Sequence, residues 1–153
     1  MKFERKPEKL SNLDIAHRQI ERAIVIFLDD RDYISALTLA GAAEEILGKL
    51  LNREGKSHWL DEISSGALEF LGFAKDEQDT VDAKQAKKEI ANLANFYKNR
   101  CKHINAEEHM NFVTDEKAAE MIERAISNYF ALTNRETGAM GRFKELVLWP
   151  NRK

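Results

Sequence analysis

A single cysteine, Cys101, rules out an internal disulfide and fits a reducing compartment. Two prolines and seven glycines among 153 residues are too few for a loop-rich or fibrous chain. The longest apolar run, Ala23 to Leu28, falls far short of the ~20 residues a membrane-spanning helix needs. The opening MKFERKPEKL alternates charges and lacks an apolar signal core, so a cytoplasmic location without membrane attachment is expected. A formal net charge of −2 excludes a generally basic nucleic-acid coat but leaves room for a local basic site. Glycine-rich phosphate loops, nucleophile elbows and Cys-x-x-Cys pairs are all missing, and with them the chemistries they carry.

What is present is helical periodicity almost throughout. Apolar residues make up 43% and charged residues 33%, a globular mix that suits one domain. Leu13, Ala16, Ile20, Ala23, Ile24 and Phe27 share one face of a helix predicted from Asn12 to about Asp29. Ser11 caps it, with Asp14 closing a capping box. A second helix is predicted over about 33–52, ending near Gly55, with Leu39, Ala43, Ile46, Leu47 and Leu50 on its core face. A third runs from after Ser57 to about Gly72, and a fourth from about Thr80 to Ile104. Thr114 is expected to cap a fifth helix, with Asp115 and Glu116 in its first turn. A short amphipathic piece from Met140 to Trp149 follows. The expected fold is all-α: a compact up-down bundle of four to five helices, its core within about 12–133, plus a C-terminal extension over 134–153.

The fourth predicted helix is the most informative. Between Lys84 and His103 lie six Lys or Arg residues and one acid, Glu89, a local balance of +5 in an acidic chain. Asn92, Asn95, Asn99 and His103 form a polar stripe, although asparagine in a helix interior costs up to ~0.7 kcal/mol relative to alanine. Partners for those amides are therefore expected, unless a well-packed helix simply tolerates them. Two readings of the end "NFYKNRCKHI" stand side by side: a solvated terminus that complements the helix dipole, or a phosphate site built from Lys98, Arg100, Lys102, His103 and Asn95. On the second helix, Gly41 and Gly48 lie seven residues apart and predict close approach of another helix, within the bundle or from a second subunit. Glu44 falls angularly between Leu37 and Leu51, so a basic partner from the fourth helix is expected for it.

The segment "KNRCKH" resembles the Arg-polar-x-x-x-His signature of the HEPN superfamily (higher eukaryotes and prokaryotes nucleotide-binding domains). "SALTLAGAAEEILGKLL" is similar to that family's alanine-rich helix, and "TDEKAAEMIERAISNYF" to the helix after its histidine. The resemblance covers most of 12–133. It implies a small helical bundle, commonly a homodimer, that binds RNA or nucleotides and in many members cleaves RNA without metal. Toxin–antitoxin or phage-defence settings, with an antitoxin-like protein partner, are further implications. By position Lys98 takes the arginine place, Asn99 the polar place and His103 the histidine place. Lysine offers a point charge where arginine offers a bidentate fork. On a straight helix, moreover, Lys98 and His103 diverge by about 140° and Arg100 and His103 by about 60°. In an active enzyme His103 is the general acid or base, and Lys98 or Arg100 stabilises charge on the phosphoryl oxygens.

The alternative function is a non-catalytic dimerisation or interaction module that keeps the fold without the cleavage chemistry. Glu107, Glu108 and His109 raise a third option, a metal site, but their spacing matches no strong ligand motif, and no cofactor or metal is expected. Cys101 reads as a core residue rather than a nucleophile. Trp59 reads as an anchor for the third helix, and Trp149 as core or a partner contact.

Overall fold

A computed structural model describes residues 6–74, 79–103 and 109–150. Among these the fold is an all-α bundle without a β-strand: α1 (Asn12–Val25), α2 (Tyr33–Arg53), α3 (Trp59–Phe70), α4 (Val81–Ala94), α5 (Phe96–Arg100), α6 (Thr114–Thr133) and α7 (Gly138–Phe143). A π-turn over Ile26–Asp30 extends α1, and another over Lys144–Leu148 extends α7. No described helix is long and apolar enough to cross a membrane.

Local chemistry sets the ends. Ser11 and Asp14 form the expected reciprocal box, Ser11 N donating to Asp14 Oδ2 at 2.8 Å and Asp14 N to Ser11 Oγ at 3.1 Å. At the end of α2, Gly55 N donates to Asn52 O at 3.1 Å and Lys56 N to Leu51 O at 3.0 Å. That pair of bonds makes a Schellman stop, with Gly55 at φ +68° where a Cβ would be strained. Thr114 is not the cap of α6. Val113 holds that position and has no side chain able to accept, so the first-turn acids Asp115 and Glu116 complement the helix start.

The core is drawn from α1, α2, α6 and α7. Ala16, Ile20, Ala23 and Ile24 meet Ala36, Leu37, Ala40, Ala43 and Leu47 of α2 and Ala118, Ile122, Ala125 and Ile126 of α6. So many alanines let the helix axes approach closely. The deepest face of α2 runs through Leu37, Ala40, Glu44, Leu47 and Leu51. It is rotated from the predicted face, since Leu39, Ile46 and Leu50 are only partly buried. The C-terminal piece is no appendage, because Met140 and Phe143 of α7 are both fully buried in the same core.

α7 is also tied from outside. Arg142 donates to both oxygens of Asp29, at 2.7 and 3.2 Å, and Thr137 bonds Glu21. The Arg142 hydrogen bonds hold the Asp29 carboxyl below its ordinary value. Ser11 does the same for Asp14 and Ser35 for Asp32. A depressed folded-state value means stability that is complete above the ordinary carboxylate range and lost as pH falls through the folded value. The melting temperature is therefore expected to fall modestly below about pH 4 as these carboxylates protonate. Asp29→Asn should lower it at pH 7 and shrink the acid drop. Thermal melts at pH 7 and pH 2.5 check this, and an unchanged acid drop in Asp29→Asn would assign the effect elsewhere.

Candidate functional site

The predicted fourth helix is two helices. It breaks at Asn95, whose backbone sits at φ −99°, ψ 2°. The cause is a side chain from α6: Arg124 donates to the carbonyl of Ala94 at 2.8 Å and to Asn95 Oδ1 at 2.9 Å. A guanidinium inserted at a helix ladder is a recognised source of a kink. The straight-helix angles between Lys98, Arg100 and His103 therefore do not apply. Leu93 is 75% exposed.

Glu44 lies at the centre of the region. Its carboxylate is 4% exposed and accepts from Lys98 Nζ at 3.1 Å on one oxygen and from Arg124 Nη2 at 3.0 Å on the other. The basic group of the fourth-helix segment that faces Glu44 is thus Lys98. Arg124, fully buried, lies with its guanidinium carbon 4.5 Å from the centre of the Trp59 ring, a desolvated cation–π contact. Asn128, one turn along α6, accepts from Trp59 N at 2.8 Å and donates to Glu44 O at 3.5 Å. Four segments of the chain meet through these bonds: α2, the start of α3, the α4–α5 joint and α6.

Gly41 makes room for this arrangement. A Cβ there would stand 2.6 Å from Lys98 Cγ and 2.7 Å from Cδ, so the lysine stem lies directly on the α2 backbone. Gly48 is covered by the His58 ring at 3.6 Å. Both glycines, expected at a close approach within the bundle or from a second subunit, are buried within the chain. The close neighbour at Gly41 is a side chain rather than a helix backbone, and it belongs to the same copy.

Lys98 requires a second correction. Placed by motif as the phosphate-facing cation, it is only 5% exposed and ion-paired inward. Asn95, expected on the phosphate surface, gives its side-chain oxygen to Arg124. Asn99, Lys102 and His103 remain exposed. Arg100 is half-buried, its guanidinium carbon 5.3 Å from the centre of the Phe96 ring. His103 lies beyond the end of α5, so the exposed motif residues occupy a helix terminus and the turn after it. Cys101 packs against the core, and burial pushes its thiol up, away from nucleophilic thiolate. Among the described residues no three His, Cys, Asp or Glu side chains converge as metal ligands. His109 is exposed, and Glu107 and Glu108 lie outside the described residues.

Sequence reading missed Arg124 and Asn128. Their signal was present: both fall, four apart, on the stripe of α6 that also carries Met121, Ile122, Ala125 and Tyr129. A charge on an apolar stripe demands a partner. Comparison with protein-family models, curated proteins and solved structures gives no match, so the functional reading rests on these side chains.

Removing the shared carboxylate strands two buried cations. Glu44→Ala is expected to cost about 3–5 kcal/mol. Lys98→Met should cost clearly less, because Glu44 keeps Arg124 and the stem still packs on Gly41. Urea denaturation of the two variants checks the order, and equal losses would contradict the shared-carboxylate account.

Proposed function

We propose that this chain is a HEPN-like helical protein that binds RNA or a nucleotide at the exposed end of α5 and does not cleave it. One observation carries the reading: Lys98, in the arginine place of the motif, is directed inward onto Glu44 at 3.1 Å, while Asn99, Lys102 and His103 are exposed. Hydrolysis of a phosphodiester needs a proton-transfer group and a fixed cation on the same phosphate. With its cation internal, the motif keeps charge and hydrogen-bonding capacity at the surface without that pairing.

The proposal includes a homodimer. Leu93 and Phe96 are 75% and 42% exposed on the α4–α5 arm, and a second copy covering them brings two cationic ends together. An antitoxin-like protein partner and a cytoplasmic setting belong to the same reading. Leu93→Glu, a change at an exposed site, should leave the melting temperature within a few degrees and yield monomer by light scattering. A wild type that is already monomeric at micromolar concentration removes the dimer from the proposal.

Binding is tested with labelled single-stranded RNA in the presence of chelator. Affinity should fall with salt, and Lys102→Ala should flatten the logarithmic slope by about 0.7, the increment expected when one fewer phosphate is neutralised. Wild type and His103→Ala should both leave the RNA intact. Chelator-resistant cutting that vanishes in His103→Ala would instead make the protein a metal-independent endoribonuclease. Absence of binding even at low salt would leave a purely structural interaction module.

A further inference from the structure

Helix α3 has an inward side and an outward one, and both carry apolar residues. Ser64 and Leu68 are buried against the rest of the chain, whereas Ile63 and Phe70 are 45% and 91% exposed. On an α-helix these two lie within about 20° of each other, and Gly66, between them in sequence, lies within about 60° of both. Ile63, Gly66 and Phe70 thus repeat at intervals of three and four residues, the spacing of a coiled-coil seam.

Gly66 is the informative member. It stands in the interior of a helix of 12 residues, where glycine is among the least favourable residues. Its φ is not positive, so no turn requires it. A Cβ at Gly66 would meet no described atom within 4 Å, whereas the side chains of Lys98 and His58 lie against Gly41 and Gly48. Single exposed apolar side chains are ordinary on a protein surface. Two of them bracketing a glycine that the described chain does not use leave space for close approach from outside.

Charge selects what can approach. Glu62 and Glu69, both exposed, repeat with the same period as Ile63 and Phe70 and run along the Gly66 edge of the seam, within about 60° of that glycine. The opposite edge carries Ala67. In heptad terms the glutamates hold g and the alanine holds e, the positions that set partner choice and orientation. A second copy packed antiparallel would set glutamate against glutamate, and a parallel one would set glutamate against alanine. Neither arrangement pairs the acids.

We infer that the outward face of α3 docks an amphipathic helix of another protein. That helix seats a large apolar side chain over Gly66, between Ile63 and Phe70, and carries Lys or Arg along the flank that meets Glu62 and Glu69. The face is separate from the end of α5, and the inference does not depend on the RNA- or nucleotide-binding reading.

The probe is a designed peptide of three heptads with leucine at a and d and lysine at e and g; its control carries glutamate in place of every lysine. By fluorescence anisotropy, wild type should bind the lysine peptide about tenfold tighter than the control, the difference expected of two rim ion pairs. Gly66→Ala should raise the melting temperature by about 2–4 °C, because alanine favours a helix, yet weaken the lysine peptide about tenfold. A glycine without a partner would give the first change and not the second. Glu62→Lys and Glu69→Lys together should reverse the preference between the peptides. Equal binding of the two peptides, binding of neither, or an affinity that Gly66→Ala leaves unchanged overturns the inference. Self-association of the free protein that Gly66→Ala abolishes also overturns it, by assigning the face to a second copy.

Discussion

A carboxylate set between two cations, away from water, determines how this chain is assembled. Glu44 receives Lys98 from α5 and Arg124 from α6, and all three residues are at most 5% exposed. Burying charge is costly unless each group is paired and its remaining hydrogen-bonding capacity filled. Here much of the remainder at Arg124 is met by the Ala94 carbonyl, the Asn95 amide oxygen and the face of Trp59, while its buried Nε has no hydrogen-bond partner among the described residues. The three charges do not cancel, because two cations meet one anion. Glu45, half-exposed beside Lys49, lies close enough for Lys98 to act on its carboxyl, so part of the balance is met at the surface, where water shares the load.

Two kinds of cohesion follow, divided along the chain. α1, α2, α6 and α7 are joined by alanine-lined apolar contact, which is non-directional and tolerant of small shifts. α3, α4 and α5 add little to that core, Leu68 and Ala83 being their fully buried apolar side chains. They are attached largely by polar bonds of fixed direction: Trp59 N to Asn128, Arg124 to Ala94 and Asn95, and Lys98 to Glu44. Directional attachment sets where the arm points, and so places the exposed end of α5. The break at Asn95 belongs to the same logic. It lets the arm turn so that Lys98 enters the interior while Asn99 stays outside.

Much of the fold was legible in the sequence. Periodicity and turn chemistry placed α1, α2, α3 and α6 near their observed bounds, since the capping box at Ser11 and the glycines at 55 and 72 are local signals. The apolar pattern could not reveal the break in the fourth helix, because its cause sits thirty residues away in Arg124. The deepest face of α2 was misplaced for a related reason: its central positions are Gly41, Glu44 and Gly48, residues a hydrophobic count passes over. Glu44 itself could be read as needing a cation from its angular position. Arg124 lay in plain view on an apolar stripe, and only a search for charge within such stripes would have found it. The glycines were read as marks of close approach, yet the approaching group at Gly41 is a lysine stem, which spacing alone does not distinguish from a helix.

The inward turn of Lys98 bears on why lysine stands where the resembling family carries arginine. A guanidinium is planar and suited to holding two oxygens at once. In this chain Arg124 already fills that role at Glu44, Ala94 and Asn95. Beside Gly41 the unbranched stem of Lys98 lies on the α2 backbone and ends in an ammonium at Glu44. The Cγ and Cδ that lie against Gly41 belong to a stem lysine shares with arginine, so the glycine makes room for the stem rather than for its head. The lysine stem and the glycine are one packing solution. Attraction of a phosphate to a surface tolerates displacement of a charge by several ångströms, because Coulomb interaction falls slowly with distance. Catalysis of phosphodiester cleavage does not, because it depends on the geometry of one transition state. On the proposed reading, a chain that draws this cation into its interior keeps the tolerant property and gives up the demanding one.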